Sequence, residues 1–383
     1  MATTLPAGLA FAELLHALPR LGAVLVPLNT RLPTAEREAQ LAASDARVVV
    51  VEPLAGIEAD VELSHSRDPA AAHTLIFTSG TSGRPKQVVL THGNHHASAL
   101  ASAANLGVEP DDRWLCVLPV FHVGGLSILL RSAIYGTTAV LHDSFDAAAV
   151  AHTLERGEVT LVSLVATMLA RLREAGLERA PALRAALLGG GPLPRELLAW
   201  ARERSLPVVP TYGMTETASQ IATLAPAEAS EEPLARPLPG AEIRIEDDEI
   251  LVRGPMVSTS ATAADGWLHT GDRGSLTQSG LLRVEGRLDD TIVTGGENVS
   301  AREVEDALLE HPRVKEAAVV GREDPEWGEA VTAYVVAKKI TEDELVEHCK
   351  GRLAGYKAPK RIHFVAELPR NAAGKVHKHR LEP

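Results

Sequence analysis

Aromatic residues make up only 3% of this chain of 383 residues: five phenylalanines, four tryptophans and four tyrosines. Its core must therefore be built mostly from alanine, leucine and valine. Basic residues are outnumbered 38 to 50, for a formal charge of −12. Such a chain has no global positive field to gather phosphates, which argues against nucleic acid as a partner and leaves any anionic ligand to a local site. Only two cysteines occur, Cys116 and Cys349, far apart and without a CxxC partner. That excludes a disulfide framework or zinc ribbon and fits a reducing cytoplasm. Uninterrupted apolar runs of membrane-spanning length are lacking too. The stretch "LPAGLAFAELLHALPRLGAVLVPL" carries Glu13, His16, Arg20 and the prolines Pro6, Pro19 and Pro27, and reads as a helix feeding a short buried strand. Arg131 breaks the run from Val123 to Leu141, so no membrane span is expected.

What is present is ordinary globular composition, 45% apolar and 23% charged, in a chain long enough for two or three domains. Through the first 225 or so residues, apolar strand candidates alternate with helical stretches. The strands are Arg47–Val51, Thr74–Thr78, Trp114–Leu118, Thr138–Leu141, Thr160–Leu164, Ala185–Leu188 and Pro207–Pro210; the helices include Asn94–Asn105, Asp146–Arg156 and Arg195–Glu203. This alternation predicts an α/β region with largely parallel sheets. From about Pro226 the texture changes to the Pro- and acid-rich connector "EASEEPLARPLPG", followed by a hairpin turning at Asp247-Asp248. After "GRLDD" a small α+β unit is expected, with capping boxes at Ser300–Glu303 and Thr341–Glu344 opening two helices. Strands Ala317–Val320, Val331–Val336 and Arg361–Val365 complete it.

The chemistry gathers in the glycine- and hydroxyl-rich segments. Thr78-Ser79-Gly80-Thr81-Ser82-Gly83-Arg84-Pro85-Lys86 has four hydroxyls, two glycines and a closing lysine, a composition suited either to a nest of donors for phosphate oxygens or to a plain surface turn. It is no Walker A loop, because a strand, Gln87–Thr91, follows the lysine. "TYGMTETASQ" offers Tyr212, Gly213, Thr215 and Glu216; a glutamate beside polyphosphate is unfavourable unless it ligates Mg²⁺ or a positive group. "LLGGGPLP" ends a strand with Gly189, Gly190 and Gly191, fit for a flat ring against bare backbone or for a tight strand-to-helix turn. Asp272 in "GWLHTGDRG" suits ribose hydroxyls, and Arg287 and Lys375 lie in "EGRLDD" and "LPRNAAGKVHK". His122 in "PVFHVGG", taken by itself, reads as a packed strand-end histidine. His92, His95 and His96 have HxxHH spacing, but a helix start accounts for them better than a metal site. No GxSxG or GxGxxG is found, which weakens hydrolase and dehydrogenase readings.

"TSGTSGRPK", "YGMTET", "TGD", "GRLDD…GGEN…EVE" and "LPRNAAGK", in this order, resemble the acyl-adenylate-forming (AMP-binding) superfamily, over nearly the whole chain. Within it, "DRWLCVLPVFHVGGLSILLRSAIYGTTAVLH" and "YGMTETASQIATLAP" are most similar to the o-succinylbenzoate–CoA ligases of menaquinone biosynthesis; a ligase for another aryl or fatty acid, or a nucleotide-binding pseudoenzyme, is the alternative. The resemblance implies a large ATP- and acid-binding domain over 1–287, a hinge at 288–290 centred on Asp289, and a small mobile α+β domain over 291–383. It implies ATP, Mg²⁺ and coenzyme A as co-substrates and cofactor, a small carboxylic acid as substrate, and allows a homodimer. Thr78, Ser79, Gly80, Thr81, Ser82, Gly83 and Lys86 would hold phosphates, Thr215 the α-phosphate and Glu216 the Mg²⁺. Adenine would lie against Gly189–Gly191, Tyr212 and Gly213, with ribose on Asp272 and Arg287. Lys375 would join carboxylate and α-phosphate, Gly295 and Gly296 would line the CoA tunnel, His122 would serve the catalytic cycle by gating the passage where acid pocket and tunnel meet, and Gly124 and Ser219 would border the acid pocket. For a dicarboxylate, Ser219, Gln220 or Arg131 could meet the second carboxylate. Relatives carry tens of residues before the segment that opens this chain, so the expectation is either a first sheet with fewer strands and an exposed apolar edge, or a true start codon upstream of Met1. Gln87 stands where a small glycine is common.

Overall fold

The strand sequences read as continuous apolar runs because both faces of the central sheet are covered. In the computed structural model, which describes residues 1–54, 68–79, 85–191, 193–228, 232–295, 297–370 and 376–382, six strands lie side by side. Their spatial order is Ser219–Thr223, Val208–Met214, Ala185–Leu188, Leu161–Leu164, Arg113–Cys116 and Thr138–Leu141. The last five pair in parallel and only Ser219–Thr223 runs antiparallel, at the edge. Period-two alternation divides each strand between two cores. Trp114, Cys116, Leu161, Ala185 and Leu187 pack with Leu106, Leu126 and Leu129 from helices His92–Leu106 and Val123–Tyr135. Leu115, Val162, Leu164, Ala186 and Leu188 pack with Val150, Leu154, Leu169, Leu172, Leu197 and Leu198 on the opposite face. Those six belong to helices Ala147–Glu155, Ala166–Glu174 and Arg195–Glu203. The expected mostly parallel α/β architecture is thus observed.

The chain divides into two units by contact clustering: Met1–Arg244 with Leu251–His269 and Gln278–Leu282, and Ile245–Ile250 with Thr270–Thr277 and Arg283–Pro383. In the first unit, Ala2–Thr3 lies between Val26–Pro27 and Val49–Val50 in a short parallel sheet. Only two residues of the expected strand Arg47–Val51 are paired, and Val48, Val49 and Val51 remain exposed. The strand expected after Lys86 begins at Pro85, so the lysine itself stands in an antiparallel hairpin, Ala72–Ser79 with Pro85–Thr91. Gln87 has its own use there: its amide donates to the Ala43 carbonyl at 2.6 Å, tying the hairpin to helix Thr34–Ala43.

In the second unit, Glu297–Ser300, Thr291–Thr294, Gly328–Ala337 and Val314–Asp324 form an antiparallel series, and Arg361–Phe364 runs parallel to Gly328–Ala337. Helices Ala301–Leu309 and Glu342–Lys350 cover one face through Val304, Leu308, Leu345 and Cys349, packed on Val319, Val331 and Val335. The turn at Asp247 and Asp248 has φ of 48° and 65°, the left-handed pair that a two-residue hairpin needs. The Thr341 capping box forms in full. The Ser300 box forms only in part: the Ser300 hydroxyl accepts from Glu303 N–H, but the Glu303 carboxylate is held by Lys357 Nζ at 2.7 Å. A nearby ammonium outcompetes a backbone N–H for a carboxylate.

Candidate active site

The first unit brings Lys86 and Glu216 together. Hairpin register sets Thr78 opposite Lys86, and the Lys86 ammonium lies 3.8 Å from Glu216 Oε1, an ion pair too long for a good hydrogen bond. Glu216 rides on the 3-10 turn Thr215–Thr217, whose position is pinned by neighbours far off in sequence. Ser258 N–H donates to the Glu216 carbonyl at 2.7 Å while its hydroxyl donates to the Val89 carbonyl at 2.6 Å, on the strand carrying Lys86. Asn94, in the Thr91 capping box, spends its amide on the Pro255 and Val257 carbonyls. Ser258 and Asn94 were missed from sequence; the Thr-x-x-Asn box at Thr91 was the available signal for Asn94, and nothing marked Ser258.

The segment carrying Tyr212, Gly213 and Glu216 is a bulged turn with strained backbone. Register slips between Tyr212 and Gly213, and the return strand starts through Ala218 and Ser219 with φ of 51° and 108°. At Gly213 a Cβ would fall 1.7 Å from the Ser219 carbonyl oxygen, so no other residue fits without moving backbone. Thr217, fully buried, holds the turn with one hydroxyl shared among Met214 N–H, the Met214 carbonyl and the Ser219 carbonyl. Gly189, Gly190 and Gly191 follow the strand Ala185–Leu188 at its carboxyl end, where α/β sheets bind ligands.

In the second unit Asp272 and Arg287 are paired. Arg287 Nη1 donates to Asp272 Oδ1 at 3.1 Å and to the Thr270 carbonyl at 3.0 Å. Gly271, at φ 66°, lets the guanidinium lie against bare backbone: a Cβ there would come within 2.8 Å of Nη2. Gly295, at φ 59°, donates to the Trp327 carbonyl and packs under the Trp327 ring. Gly80, Thr81, Ser82, Gly83, Gly296 and Lys375 lie outside the described residues, as do the side chains of Ser79 and Asp289.

Residues 58–260 match the AMP-binding enzyme family and residues 303–375 the AMP-binding enzyme C-terminal domain. The chain belongs to the AMP-binding enzyme family. It is 44% identical to the 2-succinylbenzoate–CoA ligase of Bacillus licheniformis, over 96% of this chain and 85% of that protein, and 43% identical to that of Bacillus subtilis. Its fold matches the o-succinylbenzoate CoA synthetase of Bacillus subtilis in complex with the acyl-adenylate intermediate, with a TM-score of 0.93 at 41% identity, covering 100% of this chain and 87% of the other. The same enzyme in complex with ATP and magnesium ion gives 0.91 at 42% identity, covering 99% and 88%.

In this AMP-binding enzyme, His122 is the residue before helix Val123–Tyr135 rather than a strand-end histidine. Its Nε2 is enclosed without a partner among the described residues, and burial, aided by Arg31, pushes its pKa down to about 4. Gly124 and Gly125 let the first turn of that helix approach Leu118 and Pro119. Gln220 is buried with both amide atoms unpartnered among the described residues, which keeps it a candidate for a polar substrate group. Arg131 is 2% exposed, donates to Ser98 Oγ at 3.2 Å and lies over the Trp114 ring, while its Nε has no partner among the described residues. Ser98 in turn donates to the Ala218 carbonyl at 2.9 Å, so this arginine braces the strained turn from below. The clustered histidines separate by burial. His95 is buried against Thr74 Oγ1 at 2.9 Å, with its pKa held well below the usual range by burial and by His73, His92 and Arg131, while His96 is exposed.

The depressed pKa of His122 has a consequence for stability. A histidine neutral in the fold but basic when unfolded contributes stability that is full above pH 6.5 and is lost as pH falls toward 4. The shift corresponds to about 3 kcal/mol at most. In urea denaturation at pH 7 and 4.5, His122→Leu is expected to lose less stability between the two values than the unsubstituted protein; an equal loss contradicts the assignment.

Proposed function

We propose that this AMP-binding enzyme is an ATP-dependent acid–CoA ligase acting on 2-succinylbenzoate, working in the cytoplasm as a monomer or homodimer. The observation that carries the reading is the juxtaposition of Lys86 and Glu216, a cation and a carboxylate held at 3.8 Å by a braced turn. A triphosphate is complementary to the first and its magnesium to the second. Glu216 supplies the hard oxygen donor Mg²⁺ prefers, and the ion would neutralise phosphate charge there.

In the first half-reaction the substrate carboxylate attacks the α-phosphorus of ATP, the bond to the bridging oxygen breaks, and pyrophosphate leaves from the acyl-adenylate. Thr78 and Lys86, with Ser79, Gly80, Thr81, Ser82 and Gly83, hold the departing phosphates, and Thr215 contacts the α-phosphate. Gly189–Gly191, Tyr212 and Gly213 flank adenine; Asp272, oriented by Arg287, accepts from the ribose hydroxyls. Lys375 offsets the negative charge of two anions brought together. The small part, 291–383, then turns at Asp289 relative to 1–287, and the CoA thiol attacks the acyl carbon along the Gly295–Gly296 segment, expelling AMP. His122, Gly124, Ser219 and Gln220 border the acid.

Incubation of the purified protein with ATP, Mg²⁺, CoA and a panel of carboxylic acids, with mass spectrometry of the products, tests this. A thioester is expected with 2-succinylbenzoate above all others. A thioester only with another acid overturns the substrate, and no pyrophosphate release with any acid points to a nucleotide-binding protein without ligase activity.

A further inference from the structure

Lys378 is a largely enclosed lysine engaged with two carboxylates outside the residues assigned above, and nothing in the proposed chemistry uses it. Its ammonium lies 2.8 Å from Asp290 Oδ2 and 2.9 Å from Glu305 Oε1, with only 23% of the side chain exposed. Glu305, on the helix Ala301–Leu309, is 9% exposed and also accepts Val319 N–H at 2.8 Å. Burial pushes the Glu305 carboxyl up, and Lys378 is the nearest cation opposing that push. A buried carboxylate and ammonium are costly to desolvate, so a triad of this kind is a poor device for stability alone and a good one for fixing geometry.

Its place in the chain is informative. Asp290 follows Asp289 directly, and Lys378 stands three residues after Lys375. The ends of segment 371–375 are themselves fastened: Arg370 and Val376 form an antiparallel bridge, and His377 N–H donates to the Pro369 carbonyl at 2.7 Å. Arg370 is anchored to Glu316 at 2.6 Å, and Leu368 and Leu381 are buried with Ala318 and Tyr334 on the sheet. The base of the segment bearing Lys375 is thus bound to the sheet on one side and, through Lys378, to the residue after the hinge on the other.

We infer that Lys378 is a positioning residue for the adenylation half-reaction, locking the base of the Lys375 segment to Asp290 and Glu305 so that the segment turns as one piece with the backbone leaving the hinge. The inference rests on the proposed ligase reading. Loosening the lock misplaces Lys375 and leaves the Gly295 segment alone, because that hairpin is held by its own ladder from Thr291–Ser300 to Thr294–Glu297.

Both half-reactions are to be measured separately, as pyrophosphate release from ATP and acid, and as thioester formation from supplied acyl-adenylate and CoA. Lys378→Met is expected to slow the first by at least tenfold and the second by less than threefold, with Lys378→Arg restoring most of the loss. Because Lys378→Met strands a buried carboxylate and could unfold, Asp290→Asn serves as the second variant; it keeps the Lys378–Glu305 pair and is expected to show the same asymmetry. Equal loss in both half-reactions for Asp290→Asn, or no loss in either, overturns the inference. Lys375→Ala distinguishes the two levels: if it splits the half-reactions while the Lys378 and Asp290 variants do not, the positioning role fails and the ligase reading stands. If Lys375→Ala itself shows no split, the reading beneath it fails.

Discussion

Lys375→Ala is expected to slow acyl-adenylate formation by about 10²- to 10³-fold, the range seen when one electrostatic donor at a developing charge is removed. Thioester formation from supplied acyl-adenylate is expected to stay near the unsubstituted rate. The reason lies in charge. Adenylation brings a carboxylate onto a phosphorus already surrounded by anionic oxygens, inside a chain whose net charge is −12 and which offers no general positive field. A single ammonium at the point of attack is therefore worth much. In the proposed second half-reaction the nucleophile is a thiol and the electrophile an acyl carbon, so an ammonium placed for the first step would have little charge to neutralise. Pyrophosphate release and thioester yield, measured on the same preparation, decide the matter: parallel loss of both contradicts the role.

Gly213→Ala is expected to be the most damaging small substitution in the first unit. Its Cβ would sit 1.7 Å from the Ser219 carbonyl oxygen, 2.7 Å from the Ser219 carbonyl carbon and 2.9 Å from Gln220 Cα, all backbone atoms of the paired strand. None can swing aside as a side-chain tip would. The hairpin must open at its bulge, and the turn it would drag along already holds Ala218 and Ser219 at positive φ. Overpacking of this kind costs about 1–3 kcal/mol and occasionally more; here the upper end is expected, together with loss of adenylation, because Glu216 is carried by the same turn. Gly191→Ala is the contrast, since a Cβ there meets nothing within 4 Å among the described residues. Its stability in chemical denaturation should match or slightly exceed the unsubstituted protein, as backbone entropy is removed from the unfolded chain. Equal destabilisation by the two substitutions would contradict the steric argument.

Much of the fold was legible because its signals are local. Apolar runs of four to five residues between helical stretches correctly indicated parallel strands buried on both faces, and Thr341-Glu-Asp-Glu344 correctly indicated a capped helix. Where local reading failed, a distant partner had intervened. Lys357 took the Glu303 carboxylate from the Ser300 cap. His122 sat at a helix start because Gly124 and Gly125 let that helix crowd Leu118 and Pro119, a closeness no periodicity announces.

The sequence by itself determined which chemistry the chain carries: the order of the glycine-, hydroxyl- and lysine-bearing segments, their attachment to strand ends, and an acidic composition that confines anion binding to them. Only the tertiary structure decided which of those groups meet. Lys86 faces Glu216 because Ser258 and Asn94 tie the hairpin to the turn, and Lys378 reaches Asp290 and Glu305 because a bridge at Arg370 brings the end of the chain back onto the sheet. The physical reason is that hydrophobic period and turn propensity are properties of neighbours in the chain. Ion pairing, burial and close backbone approach are properties of neighbours in space, chosen only when the cores have packed.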